Sequence, residues 1–408
     1  MGYLKKVSGE IPNTLQNVDI KLDGKNLIIT GGNGSGKTSL ITAINEKINI
    51  LIKEKKLADL EKIKKQLETH ERVLLGAVKG TSQYTSQDNM VTSLKTQIKK
   101  IEGGLQLDIP NYLDFSIDFD AKKSIIRFFE AQRNSKIQPS VGATALDNKT
   151  LQQTENAGAK FEQHLVNLRT RSSFAITEDK NNALHQKITK WFSDFEKNLK
   201  YLMEDESTKL VFKPNEFKFY ISQNNKKPYT FQSLSSGYSA IFDILADLII
   251  RTEFFEVPPS ELTGIALIDE IDAHLHVSLQ RKILPFLIKS FPKLQFIVTT
   301  HSPFVITSVS DTVIYDIKTQ EQVSDDLSMY SYDAIVEGLL GVPPISKEME
   351  DEMNKLANLI DQGAKNKNEV QIIVNKIHPH EDNLDAHSQM IYQKAVYFLL
   401  QLKNQKDV

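Results

Sequence analysis

The sequence predicts an α/β fold with a helical insertion and a helical C-terminal region, on three observations. First, the apolar run Leu27-Ile28-Ile29 leads straight into a glycine-rich turn and then a helix-forming stretch, the order strand, loop, helix. Second, Gly264-Ile265-Ala266-Leu267-Ile268 and Phe296-Ile297-Val298 are short apolar runs of the kind buried in parallel sheets. Third, Leu60, Ile63, Leu67, Leu74 and Val78, then Val91, Leu94, Ile98, Ile101 and Leu105 recur at helical spacing, the pattern of two packed helices.

Taken in order, Val18 to Leu22 alternates as a half-exposed strand, and Asp23-Gly24 makes a tight turn. Leu27 to Ile29 delivers Gly31-Gly32-Asn33-Gly34-Ser35-Gly36-Lys37-Thr38. This stretch fits G-x-x-x-x-G-K-[ST] at every fixed position, the pattern of a phosphate-binding loop. Its glycines let backbone N–H groups converge on phosphate oxygens at the positive end of a helix. Lys37 would reach the β- and γ-phosphates, and the Thr38 hydroxyl would sit on Mg²⁺. A helical pattern continues beyond Thr38, so residues 45–106 read as an antiparallel helical, coiled-coil-like hairpin turning at Gly80-Thr81-Ser82-Gln83. Its faces carry Lys53, Lys55, Lys56, Lys62, Lys64, Lys65, Lys95, Lys99 and Lys100, either a nucleic-acid or partner surface or a solvated face with i,i+4 pairs.

Tyr112 to Phe119 then alternates like a strand, and Ser124 to Phe129 is a second one, ending at Glu130-Ala131-Gln132-Arg133. Residues 135–160 are poor in large apolar groups and read as a mobile loop. A helical region over about 160–206 holds the single Trp191, read as core, and short strands follow at Leu210-Phe212, Phe217-Ile221 and Tyr229-Phe231. Ser233-Leu234-Ser235-Ser236-Gly237-Tyr238 opens an apolar helix, a second arrangement of small, hydroxyl-rich residues at a helix start. The run from Gly264 ends in Asp269-Glu270. Asp269 is expected beside the phosphate-loop Mg²⁺, and Glu270 is left to polarise an attacking water. The next apolar run ends in His301, where a neutral imidazole can hydrogen-bond the γ-phosphate or the water.

Phosphate loop, a glutamine after a strand, a Ser-Ser-Gly helix start, Asp-Glu and a terminal His, in that order, resemble the ABC-type ATPases. Within them the chain is similar to the RecF, SMC and OLD branch, in which a helical insertion separates the first motif from the rest. The resemblance implies an ABC-type P-loop ATPase domain at 1–44 and 107–320, an inserted hairpin at 45–106 and a helical region at 321–408. It implies ATP and Mg²⁺ as cofactors. The nucleotide would be held by Asn33, Gly34, Ser35, Gly36, Lys37, Thr38 and Ser39, and by Gln132 as the Q-loop glutamine. Thr38, Gln132 and Asp269 would serve the metal, and Lys37, Glu270 and His301 the chemistry. Ser235, Ser236 and Gly237 stand for the LSGGQ signature, delivered by a second copy in a homodimer or higher homo-oligomer. Ser236 and Tyr238 depart from that signature. Ile271-Asp272-Ala273-His274-Leu275-His276 is similar to a run in OLD-type ATPases, which places His274 and His276 in an interface loop in preference to a metal site.

After Ser331 the pattern is helical, without the glutamate and Asp-x-Asp pair of the Toprim nuclease that OLD proteins carry, so the chain is expected to lack one. His378-Pro379-His380-Glu381-Asp382, with Asp385 and His387, has metal-ligand residue types but reads first as a polar loop between helices. The layout is similar to ATPase subunits of anti-phage systems such as Septu and PARIS. It implies a regulatory ATPase that senses a trigger and controls a separate effector, a nuclease or toxin. The alternative is a RecF- or SMC-like ATP-gated DNA clamp. A transporter subunit fits less well, given the insertion and the degenerate signature, and a fourth reading makes the His378–His387 segment itself the effector.

Composition narrows these readings. A chain of 408 residues, 40% hydrophobic and 25% charged, can bury a large core and exceeds one ordinary domain. Its 50 basic and 52 acidic side chains leave a net charge of −2, so nucleic-acid contact is left to a local patch. The absence of cysteine excludes disulfides and thiolate metal sites and suits a reducing compartment. No apolar run approaches the ~18 residues that span a membrane, and the first residues lack the core of a secretory signal. A cytoplasmic protein with no membrane partner is expected.

Overall fold

The computed structural model describes residues 3–12, 14, 16–133, 137–144, 157–255, 257–323, 326–342 and 345–404. Two compact units divide the chain, Met1–Met329 and Tyr330–Val408.

In the first unit, β1 (Lys6–Glu10) pairs antiparallel with β2 (Asn17–Lys21). β2 turns Val18 and Ile20 inward and Asp19 outward, the period of two expected of a half-exposed strand. Asp23 and Gly24 both take positive φ, the signature of a type I′ turn. This turn leads into β3 (Asn26–Thr30), whose last four residues are all buried. α1 (Lys37–Ile48) follows the phosphate loop and buries Leu40, Ile41, Ile44 and Ile48 along one face.

The helical path breaks where the sequence reads as continuous. A π-helical turn at Asn49–Lys53 and a left-handed Lys55 (φ 52°) separate α1 from α2 (Lys56–Gly76). α3 (Ser82–Glu102) returns alongside, with the Thr81 hydroxyl accepting from Tyr84 N as its N-cap. Lys64 pairs with Glu102 at 2.7 Å and Lys95 with Glu71 at 2.7 Å. One helix's numbers rise as the other's fall, so the two run antiparallel. Leu60, Ile63, Leu94 and Ile101 fill the seam between them, with Leu67 and Ile98 at its margin.

β4 (Gln106–Asp108) joins β1 to complete a three-stranded sheet of order β2-β1-β4. Residues Tyr112 to Phe119, read from alternation as a strand, instead form α4 (Tyr112–Asp120). The helix buries Phe115, Ser116 and Phe119 and leaves Leu113 and Ile117 exposed. Ser116 Oγ donates to Ile52 O at 2.9 Å, satisfying a carbonyl of the π-helical turn. That is a tertiary reason for helix that local alternation does not carry.

β5 (Ser124–Phe129) is the edge of the main sheet. Of the stretch 135–160, read as a mobile loop, residues 137–144 and 157–160 are ordered: Gln138 N donates to Ala159 O at 2.8 Å, and Ile137 and Ala157 are buried. The rest of that reading lies outside the described residues. α5 (Phe161–Thr177) and α6 (Asn182–Met203) pack together and against the ribbon of β6 (Lys209–Lys213) and β7 (Lys218–Ser222). Trp191 stacks on Phe195 at 5.4 Å between ring centroids. Tyr229 makes only an isolated bridge to Ile221, and Phe231 begins a 3-10 turn, so no third strand forms there.

α7 (Ser236–Phe254) is buried along most of its length. Its Asp247 accepts from Arg127 Nε of β5 at 3.0 Å, from Arg251 Nε at 2.7 Å and from Ala157 N at 2.8 Å. A buried carboxylate with this many donors is compensated, and it locks α7 to the sheet edge. β8 (Thr263–Ile268), α8 (Val277–Ser290), β9 (Leu294–Thr299), α9 (Pro303–Ile306), β10 (Thr312–Asp316) and β11 (Glu321–Val323) complete the unit. The main sheet has the order β11-β10-β3-β9-β8-β5. All its pairings are parallel except β10 with β11, so β11 extends the sheet one strand past β10. The central position of β3, beside β9 and near β8, brings the carboxyl ends of these strands to one edge, where ligands bind in open α/β sheets. Gln295 braces the opposite end, accepting from Leu4 N and donating to Leu4 O and Lys25 O.

The second unit is helical in all its described regular elements: α10 (Tyr332–Gly338), α11 (Lys347–Asp361), α12 (Lys367–Ile377) and α13 (Ala386–Asn404). Met353, Leu356, Val370, Ile373, Tyr392 and Ala395 form its core. No described helix is long and apolar enough to cross a membrane.

Candidate nucleotide site

The loop between β3 and α1 is shaped by glycines and by its own lysine. Gly31 takes φ 137°, and a Cβ there would lie 2.9 Å from both Ser35 Oγ and Ile317 Cγ2, so only glycine closes this turn. Lys37 is buried, with Nζ donating to Gly31 O at 2.8 Å and Gly32 O at 2.9 Å. Burial lowers its ammonium below the usual lysine range, against the opposing pull of Glu270 first, then Asp272, Asp269 and Asp316. The N–H groups of Asn33, Gly34, Gly36, Lys37, Thr38 and Ser39 find no acceptor among the described residues, and no side chain caps α1. Orphan donors on an exposed helix start, above a buried cation, fit a polyphosphate.

Two strands bring the acids to this loop. Thr38 Oγ1 donates to Asp269 Oδ2 at 2.9 Å, and Thr299 Oγ1 donates to Asp269 Oδ1 at 2.5 Å. Asp269 is thus buried at the end of β8 with one oxygen on the phosphate-loop helix. A hydroxyl and a carboxylate oxygen converging at this point form a donor set that fits Mg²⁺. Glu270 follows in a left-handed conformation, φ 46°. Its N–H donates to Thr299 Oγ1 at 2.7 Å, and its carboxylate makes no hydrogen bond among the described residues.

His301 lies just past β9, half exposed, with Nε2 3.6 Å from Asp272 Oδ2. Asp272 itself is buried and accepts from Thr300 Oγ1 at 2.5 Å. The phosphate loop, Asp269, Glu270 and His301 therefore share the strand-end edge of the sheet, with Lys37 in the field of Glu270, Asp272 and Asp269. Gln132 is exposed beyond β5 and makes no hydrogen bond among the described residues.

The Ser235–Gly237 turn stands apart. Ser235 is the N-cap of α7 without a side-chain cap bond, and both Ser235 and Ser236 are exposed. No hydrogen bond joins them to the phosphate loop among the described residues. Gly237 packs on the loop after the acids: a Cβ there would lie 2.9 Å from His274 O. His276 accepts from Ser278 N to cap α8.

Three contributors escape sequence reading. Arg133 Nη2 donates to Asp269 O at 2.7 Å and Glu270 O at 2.9 Å. Asp316, buried at the end of β10, adds to the field at Lys37. Gln280 accepts from Ser302 Oγ at 2.7 Å and donates to Leu275 O at 2.8 Å, tying the loop after the acids to the segment after His301. Adjacency to Gln132 is the one sequence signal for Arg133, and Gln280 lies four positions past the Ile271–His276 run; Asp316 has none.

The C-terminal histidine segment has local uses. His378 Nδ1 lies 2.9 Å from Tyr392 OH and 3.0 Å from Glu381 Oε2, and Asp385 accepts from His387 N and Ser388 N at the start of α13. Among the described residues no group of three or more His, Asp or Glu is placed to hold a metal. A cavity of about 1350 Å³ lies elsewhere, walled by Leu168, Trp191, Phe195 and Ile249. It is removed from the phosphate loop and carries none of these acids.

Comparison with known proteins finds likenesses over part of the chain. Residues 189–307 match the family model described as "AAA domain, putative AbiEii toxin, Type IV TA system". That match covers less than a third of the chain. The matched stretch includes the Ser235–Gly237 turn, Asp269, Glu270 and His301, and stops short of the phosphate loop. The chain is 33% identical over 168 residues to "Retron Ec83 probable ATPase" of Escherichia coli, covering 38% of this chain and 31% of that one. It is 28% identical over 188 residues to "Septu protein PtuA" of Bacillus mycoides, covering 42% of this chain and 26% of that one. The matches thus span about a third or less of these relatives' own length. Among solved structures, an SMC head bound to the C-terminal winged-helix domain of ScpA aligns at TM-score 0.40 and 13% identity, over 80% of this chain and all of that one.

Proposed function

We propose that this chain is an ATP-binding and ATP-hydrolysing regulatory subunit, acting in the cytoplasm, that dimerises around ATP and controls a separate nuclease or toxin in anti-phage defence. The hydrogen bond from Thr38 to Asp269 carries the ATPase reading, because it joins the phosphate loop to the acid-bearing strand at one point. The likeness to retron and Septu ATPases supports the defence setting.

In this reading residues 1–44 and 107–320 form one discontinuous ATPase domain, interrupted by the coiled-coil hairpin 45–106 and followed by the helical region 321–408. The orphan N–H groups of Asn33 to Ser39 bind the phosphates, and Lys37 turns from the Gly31 and Gly32 carbonyls towards them. Thr38 and Asp269, with Gln132, would hold Mg²⁺, which would neutralise charge on the phosphate oxygens. Glu270 accepts a proton from the attacking water. His301, steadied by Asp272, donates towards the reacting phosphate. Ser235, Ser236 and Gly237, exposed at the start of α7, complete the site of a second copy. The DNA-clamp reading gains little from the hairpin: Lys64, Lys95, Lys56 and Lys55 are engaged by Glu102, Glu71, Glu54 and Asp120.

The test is ATP hydrolysis and molar mass of the purified chain with and without ATP. The expected result is Mg²⁺-dependent turnover that Glu270→Gln reduces by about 100-fold or more, while that variant still binds ATP and accumulates as a dimer. Full turnover by Glu270→Gln, or a monomer under all nucleotide conditions, overturns the reading. For the effector, the tagged chain drawn from cells bearing its native locus should retain a nuclease or toxin in a manner that depends on Lys37.

A further inference from the structure

The turn carrying Asp269 and Glu270 is held in a conformation that side-chain-bearing residues avoid, with Glu270 at φ 46°. Its N–H groups are fixed by the sheet: Asp269 N donates to Phe129 O at 2.9 Å, Glu270 N to Thr299 Oγ1 at 2.7 Å and Ile271 N to Thr299 O at 3.0 Å. Its carbonyls are fixed by one side chain. Arg133 Nη2 donates to Asp269 O at 2.7 Å and to Glu270 O at 2.9 Å. No carboxylate pairs with Arg133 within salt-bridge distance among the described residues, and its Nε is buried without an acceptor. The guanidinium is spent on backbone: one terminal nitrogen, at the far end of the longest basic side chain, donates to two successive carbonyls.

Arg133 also sits at a junction. It follows Gln132 directly in the segment leaving β5, and its charge lies in the field of Asp243 as well as of Asp272, Asp269 and Glu270. Asp243 is on α7, the helix that begins at Ser236. One side chain therefore ties the Gln132 segment to the acid turn and faces the helix that bears the signature residues.

We infer that Arg133 is a positioning residue for hydrolysis, clamping the carbonyls of the Asp269–Glu270 turn so that the Glu270 carboxylate is aimed at the reacting phosphate. The inference rests on the proposed role of Glu270. It makes the Gln132 segment a control on Glu270, because any shift of that segment pulls on the turn through Arg133. A lysine at the same place keeps the charge, but its side chain ends one bond short of the Nη2 position, so its ammonium does not reach both carbonyls from the same backbone position.

The test compares Arg133→Lys, Arg133→Leu, Glu270→Gln and the Arg133→Lys/Glu270→Gln double variant in the full chain. The readouts are kcat, KM for ATP, affinity for a fluorescent ATP analogue, and melting temperature. Arg133→Lys is expected to lower kcat by about 10-fold or more, with KM and analogue affinity within about 3-fold of wild type. In the Glu270→Gln background the same change should alter the residual rate by less than about 2-fold, because the group it positions is gone. A kcat within about 2-fold of wild type for both the Lys and Leu variants overturns the inference. So does an equal loss in both backgrounds, or a loss of analogue affinity that accounts for the fall in rate. If Glu270→Gln itself turns over at the wild-type rate, the proposed role of Glu270 fails, and this one with it.

Discussion

Thr38 Oγ1 donates to Asp269 Oδ2 at 2.9 Å, across 231 positions of sequence. The first turn of α1 and the end of β8 are thus already registered on each other by the protein alone. Replacing Asp269 with Asn keeps the shape but removes the charge and one acceptor. Nucleotide binding in Mg²⁺ should weaken by about 10-fold or more, since hydrogen bonds and contacts to an ionised carboxylate are the stronger kind. Binding in EDTA should change far less. Equal loss with and without Mg²⁺ would place Asp269 outside the metal site.

Lys37 spends its ammonium on the carbonyls of Gly31 and Gly32. That arrangement stores a buried cation whose natural partner is an anion, in reach of the orphan N–H groups above it. Lys37→Ala should reduce ATP affinity by roughly 1.5–3 kcal/mol, the range for a hydrogen bond to a charged group. Melting temperature without nucleotide should fall little. Isothermal titration and a thermal scan separate these outcomes.

Burial pulls the His164 imidazole down from 6.5 to about 4. The folded chain therefore keeps it neutral across a range in which the unfolded chain takes up a proton. Between pH 4 and 6.5 the unfolded state binds more protons at this position, so stability rises with pH there, by at most ~1.4 kcal/mol per unit. Above that window His164 contributes no slope, and below it none further. Urea unfolding followed from pH 4.5 to 7.5 should show the rise, and His164→Phe should flatten it. An unchanged profile in the variant would assign the slope to other groups.

Much of this site is legible in the sequence because its parts are local. The phosphate loop is a contiguous pattern, and Asp269 and His301 follow apolar runs long enough to read as buried strands. The segments that misread are those decided at long range. Leu113, Phe115, Ile117 and Phe119 alternate as a strand would, yet the helix wins because Phe115 and Phe119 reach the core and Ser116 meets the Ile52 carbonyl. Arg133 could not be assigned a partner, because its acceptors are two backbone carbonyls 136 and 137 positions away. Tyr229 to Phe231 looks strand-like by residue type, but it turns after a single bridge to deliver the Ser235 helix start.

Gly237 ties that helix start to the loop after the acids. A methyl group at this position would lie 2.9 Å from His274 O, closer than a Cβ and a carbonyl oxygen tolerate. Gly237→Ala should therefore move either α7 or the His274 loop, at a cost of about 1–3 kcal/mol. Denaturant unfolding measures the cost. Hydrolysis should fall by more than the lost stability accounts for, because the displaced loop follows Glu270 directly. A variant with wild-type stability and rate would show that this contact is slack.

Ser235 and Ser236 are exposed at the start of α7 and make no hydrogen bond to the phosphate loop of their own chain among the described residues. In the proposed reading they act on ATP in another copy, and complementation tests this directly. Lys37→Ala disables the site that a subunit builds from its own loop, whereas Ser235→Arg disables only what it lends to its partner. Each variant alone should be nearly inactive. A mixed dimer has one site with both defects and one with neither, so equal mixing should restore about a quarter of wild-type turnover, given random pairing and independent sites. Titrating one variant into the other should give a maximum at equal amounts, read as phosphate released per chain. No recovery at any ratio, with mixed dimers verified by differential tags, would mean that the two residues serve the same chain's site.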